Sequence, residues 1–292
     1  MNPEPNPITA GIDFSASSES VLRKAARAAK RAGASVLAVY VIDSGSLAFR
    51  AVGVGKDGDT LVEQATAKME ALISRFGLDG VITVIRTGNP AVEIAAVMRE
   101  HDSKLLVIAA NDSVKKRLGS IASRCVRTAP GDVLVLRDWQ EKDFKKIMVC
   151  TDFSATSTKA LERGIFMAEV SNAALELVHV MYPPDMDPWG EVMDQKMDAA
   201  ESYGDTCKRQ TEEKMARQVA AYTARLTALD FTSTILVSTN STQTLTSHAR
   251  YIAADLVVLG TRGISKVEGF FIGTNAERLL HDVGVCVLAV RD

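Results

Sequence analysis

The chain has 292 residues, 47% apolar and 24% charged, which is ample for a packed core and excludes a largely disordered chain. With 34 basic and 36 acidic residues the net charge is −2, so the basic excess that recruits DNA or RNA is missing. The four cysteines form no C-x-x-C pair, and there is no signal-like leader and no apolar run of spanning length, so a cytoplasmic protein off the membrane is expected.

Read in chain order, Ile8 to Ile12 is a short apolar strand that ends at Asp13. A helix follows from Ser18 to Arg31, its apolar face carried by Val21, Leu22, Ala25 and Ala29, and Gly33 stops it. SVLAVYVI is a second strand, rich in β-branched residues. Then come a helix from Thr60 to Phe76, strand GVITVIRT, helix Ala91 to His101, strand LLVIAA, helix Ser120 to Val126 and strand VLVLR. The order repeats with strand KKIMVC, helix Ser157 to Glu169, strand ALELVHV and a long helix from Asp194 to Leu229. Strand TSTILVS, helix Gln243 to Ala253, strand DLVVLG, helix Asn275 to Asp282 and strand VCVLAV complete it. The proline-rich insert Pro183 to Gly190 is a loop, in which Trp189 serves either as a lid or as a packed aromatic.

The second half therefore restates the first. Asp13-Phe14-Ser15-Ala16 returns as Asp152-Phe153-Ser154-Ala155, an offset of 139 (152 minus 13). GDVLVLRD, closing at Asp138, returns as GVCVLAVRD, closing at Asp292, an offset of 154 (292 minus 138). The second copy is thus 15 residues longer, and the charged stretch Trp139 to Asp143 is the natural linker between domains 1–140 and 141–292. Alternating β and α elements with near-continuously apolar strands imply, in each domain, a doubly wound five-stranded parallel sheet covered on both faces.

Such a sheet binds ligands beyond the carboxyl ends of its strands, at the switch point of the topology. In the second copy Gly260-Thr261-Arg262-Gly263 follows the fourth strand, and Gly273-Thr274-Asn275 opens a helix after nine further residues. Gly260 and Gly263 permit positive φ and close backbone approach. Gly273 and Thr274 stand at a helix N-terminus, where free amides attract an anion, and Lys266 or Arg262 supplies charge. Taken alone, the pattern fits a phosphate cradle or a glycine-rich turn with an ordinary N-cap.

The G-x2-G-x9-G-T-N pattern together with the strand-end Asp152, inside a unit of about 150 residues that occurs twice, resembles the universal stress protein family. The resemblance implies two tandem domains of strand order 3-2-1-4-5, pseudo-two-fold related, with the last strands VLVLRD and VLAVRD pairing in an intrachain pseudo-dimer, and a homodimer as a further assembly. It implies ATP as ligand, with or without Mg²⁺, since in that family the glycine motif marks ATP-binding members. Carried over by position, Thr151 and Asp152 line the base and ribose end, and Val180 meets adenine through its backbone. Leu259, Gly260, Arg262 and Gly263 border ribose and phosphates, while Gly273, Thr274, Asn275 and Ala276 hold the phosphate tail. This chain departs from the family where Ser238-Thr239-Asn240 replaces the Gly88-Asn89-Pro90 of copy one. The implied role is stress tolerance through nucleotide-dependent regulation or interaction with protein partners. A slow ATPase or adenylyl/phosphoryl transferase using Asp152, and a dimeric scaffold without nucleotide, are the alternatives.

In copy one, Ala110 and Ser113 stand where copy two has Gly260 and Gly263, and the loop to Gly119 spans 9 positions rather than 13. With Asp112 adding repulsion, this cradle reads as degenerate, retaining Asp13 and Gly119-Ser120 for a smaller anion at most. No HExxH, G-x-S-x-G or Walker A pattern occurs, and linear spacing lends no support to a zinc site from Cys150, His179 and Cys286. The basic stripe Arg23, Lys24, Arg27, Lys30 and Arg31 reads as a solvated face, and Met193, Met197 and Met215 as core or interface.

Overall fold

A computed structural model describes residues 5–45, 56–110, 119–138, 143–188, 192–193, 202–262 and 273–291. The chain divides into two compact units: Met1–Lys142 with Cys286–Arg291, and Asp143–Val285 with Asp292.

In the first unit, β1 (Ile8–Ile12) lies between β2 (Val36–Asp43) and β4 (Leu105–Ala109), parallel to both. β3 (Val81–Gly88) adds outside β2, and β5 (Asp132–Leu136) outside β4, which gives the order 3-2-1-4-5. Helices α1 (Ser18–Ala32), α2 (Lys56–Arg75), α3 (Pro90–Glu100) and α4 (Ser120–Thr128) form the crossovers. α1 buries Val21, Leu22, Ala25 and Ala29, and ends at Gly33 with φ 65°. Lys24, from the basic stripe, is buried rather than solvated, because it falls on that inward face. The last strand of the chain, β10 (Cys286–Val290), pairs antiparallel with β5, setting Val287 opposite Val135 and Ala289 opposite Val133. Arg291 fastens its end: its amide donates to Asp132 Oδ1 at 2.9 Å, and its guanidinium to the Arg127 carbonyl at 3.1 Å, at the C-terminus of α4.

In the second unit, β6 (Lys146–Cys150) lies between β7 (Ala174–Met181) and β9 (Leu256–Gly260), again parallel, with β8 (Phe231–Val237) outside β7. Ile147, Met148 and Val149 are fully buried, as a strand covered on both faces requires. Helix α5 (Ala155–Ser171) is capped by Ser154, whose hydroxyl accepts from the Ser157 amide at 3.1 Å. Its Gly164 passes so close over β6 that a Cβ there would overlap Val149 Cγ2.

Of the long helix expected from Asp194 to Leu229, residues 194–201 lie outside the described residues, and the remainder is broken into α6 (Tyr203–Ala220) and the single turn α7 (Thr223–Leu226). Ser202 starts α6 by accepting from the Asp205 amide at 3.1 Å, a local bond that apolar periodicity does not register. Of the methionines expected near it, Met215 is buried and Met193 exposed, while Met197 lies outside the described residues. Helices α8 (Ser241–Tyr251) and α9 (Thr274–Asp282) complete the unit. One carboxylate, Glu176, is 6% exposed within the sheet. Burial works to raise its pKa, but hydrogen bonds with Thr234 at 2.7 Å and His248 at 2.8 Å, and Lys146 at 3.5 Å, outweigh it and hold the group below the usual range. Among the described residues no helix is long and apolar enough to cross a membrane.

Candidate nucleotide site

The order 3-2-1-4 makes β6 and β9 neighbours whose crossovers leave in opposite directions, so a cleft opens beyond their carboxyl ends. A cavity of about 520 Å³ lies there. Thr151 and Asp152 after β6, Leu259, Gly260 and Arg262 after β9, and Gly273, Thr274, Asn275 and Ala276 at the start of α9 all line it. Nine of the eleven residues singled out from the sequence thus converge on one space. Val180, half-buried on β7, is not among the lining residues, and Gly263 lies outside the described residues, as do Lys266 and Trp189.

Asp152 is the sole carboxylate on the described wall. Its Oδ1 accepts from the Ser154 amide at 3.0 Å across Phe153, which is held at φ 64°. The first copy builds the same turn, with Ser15 donating to Asp13 at 2.9 Å and Phe14 at φ 58°. Thr151 turns its hydroxyl inward: it donates to Gln218 Oε1 on α6 at 2.8 Å and accepts from the Phe153 amide at 3.0 Å. Its carbonyl accepts from His179 Nδ1 at 2.9 Å, which fixes the Nδ1–H tautomer. Thr151 therefore sets the position of Asp152 from behind.

Of the two roles expected of Gly260, positive φ and close backbone approach, it serves the second. It does not adopt positive φ; its missing Cβ is what counts, because one would stand 3.0 Å from Thr156 Cγ2 and 3.1 to 3.2 Å from the Thr156 and Ser157 backbone. The glycine lets the end of β9 abut the first turn of α5. The Gly273 amide donates to the Thr261 carbonyl at 2.8 Å, drawing the start of α9 beside the strand end. Gly273 is the N-cap of a nine-residue helix and offers no side-chain oxygen, so the first amides of α9 are left to face the cavity.

Cys150, Ser157, Ser241, Leu245 and Leu279 also line the space, although no motif signals them. Burial pushes the Cys150 thiol up to about 12, so it forms a neutral wall and not a nucleophile. Among the described residues no three His, Cys, Asp or Glu side chains gather to hold a metal ion. A lone carboxylate facing a phosphate-sized space suits Mg²⁺, which keeps most of its ligands from phosphate and water.

The corresponding place in the first unit holds a smaller cavity of about 160 Å³, bounded by Ile12, Asp13, Tyr40, Pro90, Ile94 and Ile121 among others. The substituted loop positions Asp112 and Ser113 lie outside the described residues.

The model of the universal stress protein family matches this chain twice, over residues 5–137 and 143–291. The chain belongs to the universal stress protein family. A curated Thermus aquaticus relative, named universal stress protein in QAH/OAS sulfhydrylase 3′ region, is 28% identical over 148 residues, which is 51% of this chain and 99% of that protein. Among solved structures, a universal stress protein from Archaeoglobus fulgidus aligns over 99% of this chain and 97% of its own, with a TM-score of 0.70 and 18% identity. A putative universal stress protein from Pseudomonas aeruginosa aligns over 98% and 93%, with a TM-score of 0.68 and 16% identity. At such identities the structural likeness speaks for the fold.

Proposed function

We propose that the second universal stress domain, residues 141–292, binds ATP in the cavity beyond β6 and β9, with or without Mg²⁺, and that the first, residues 1–140, has lost this capacity. The protein acts in the cytoplasm in stress tolerance, its interactions with protein partners responding to the nucleotide rather than to turnover. One observation carries the reading: a 520 Å³ cleft at the switch point, walled on one side by Asp152 and on the other by the open N-terminus of α9. Family membership supplies the stress role. The amides of α9 suit the phosphates, and the carboxylate suits a ribose hydroxyl or the magnesium ion.

The decisive test is the ligand released when purified protein is denatured, identified by chromatography and mass spectrometry, followed by calorimetry with ATP. Adenine nucleotide in the released fraction and saturable ATP binding are expected; absence of both overturns the reading. Thr274→Glu sharpens the test. A carboxylate in the first turn favours the helix by about 0.3–1 kcal/mol, so the fold is kept, yet it occupies phosphate territory with like charge. ATP affinity should fall by at least about tenfold, since like charges about 4 Å apart repel by several kcal/mol at intermediate dielectric. Unchanged affinity would move the phosphates elsewhere.

A further inference from the structure

The two cavities occupy corresponding places, and the helix starts align them residue by residue. Asn240 and Asn89 precede α8 and α3, and Gly273 and Gly119 precede α9 and α4, so Ser241 answers to Pro90 and Asn275 to Ile121. The strand-end motifs likewise pair Thr151 with Ile12. Each of these three polar wall positions in the larger cavity is apolar in the smaller. Degeneration alone would leave a collapsed or randomly polar remnant. Here the cavity persists, at about 160 Å³, and its wall has changed character in one direction. Ile121 is 46% exposed there, an aliphatic side chain on a helix surface where the other copy has an amide.

Volume and lining together select a ligand class. A cleft of this size has room for one benzene-sized ring. The aliphatic walls solvate a phosphate or a carboxylate poorly and the Asp13 carboxylate repels one, so anions are disfavoured. Tyr40 presents an aromatic surface, itself held by Phe14 at a ring separation of 4.5 Å. Polar side chains remain at Asp13, after β1, and at Ser120, the first residue of α4.

We propose that the first unit binds a small uncharged monocyclic aromatic molecule of about six to ten non-hydrogen atoms, with any hydroxyl directed to Ser120 or Asp13. This site is independent of the nucleotide reading for the second unit. The test uses the full chain and 4-fluorophenol as probe, followed by its ¹⁹F line width and by calorimetry. Saturable broadening is expected, unaffected by saturating ATP. Ile121→Asn installs the other copy's residue at a half-exposed position and should weaken the probe by at least about tenfold, with thermal melting by circular dichroism confirming a folded protein. Pro90→Ser, the second exchange toward the polar copy, should weaken it in the same direction. No broadening at millimolar probe, broadening that Ile121→Asn leaves intact, or displacement by ATP would each overturn the proposal. Failure of ATP to bind at all would overturn the nucleotide reading and leave this one standing.

Discussion

His179 never touches the cavity, yet it sits behind the residue that orients Asp152. Its ring stacks on Phe153 at 4.4 Å, and its Nδ1–H donates to the Thr151 carbonyl. Burial lowers its pKa, with the Lys214 charge acting in the same direction, against the Thr151 bond and the Asp152 charge that favour protonation. The unfolded imidazole titrates near pH ~6.5, so above that value the two states hold equal protons and stability is unaffected. Below it the unfolded chain takes up a proton that the folded one refuses, and stability falls as pH drops toward the depressed folded value. His179→Gln should flatten the decline of the urea midpoint between about pH 7 and 5; parallel curves for the two proteins would refute the account. At this scale the sequence spoke unevenly. Gly260 and Gly273 were legible because a loop of fixed spacing carries them, and Asp152 because the same strand-end motif occurs in both copies. Gln218 and His179 were not, since they reach Thr151 across 67 and 28 residues through tertiary packing alone.

Helices and strands were more legible than the side chains between them. Strands buried on both faces announce themselves as continuous β-branched runs, and α1 by its apolar stripe. The single helix expected through to Leu229 shows the limit: charged residues at every turn keep the helical period while the capping Ser202 sets a new start. Glycines mark a second limit. Gly164, inside α5, reads as a weak helix former that alanine should improve by roughly 0.5–1 kcal/mol. The packing reverses the sign, because an added methyl would press on Val149 Cγ2 in a fully buried layer. Overpacking of that kind costs about 1–3 kcal/mol, so Gly164→Ala should destabilise the second unit by about 1–2 kcal/mol in chemical denaturation. A stabilised variant would mean that α5 rides higher on the sheet than described.

On the scale of the whole molecule, the repeat told of two copies of one fold, and the family comparison agrees. β10 ends the second copy in sequence and pairs antiparallel with β5 of the first unit, the pairing of last strands that the family resemblance implies. Offset arithmetic cannot reveal this, because strand partnership is a property of edges and not of spacing. Deleting residues 285–292 should therefore loosen the first unit, with faster amide exchange at Val133 and Val135 than in the full chain. Equal protection in both proteins would show that β5 is held without its partner.

The same strand bears on how the protein is made. A ribosome adding about 5–20 residues per second needs on the order of ten to thirty seconds to travel from Leu136 to Cys286. Throughout that interval the earlier half can fold around its other strands, but β5 keeps one bare edge, with Val133, Leu134, Val135 and Leu136 awaiting a partner not yet synthesised. The nascent chain thus carries a sticky margin until Cys286 to Val290 emerge, a window in which chaperone cover or a second nascent chain can compete for that edge.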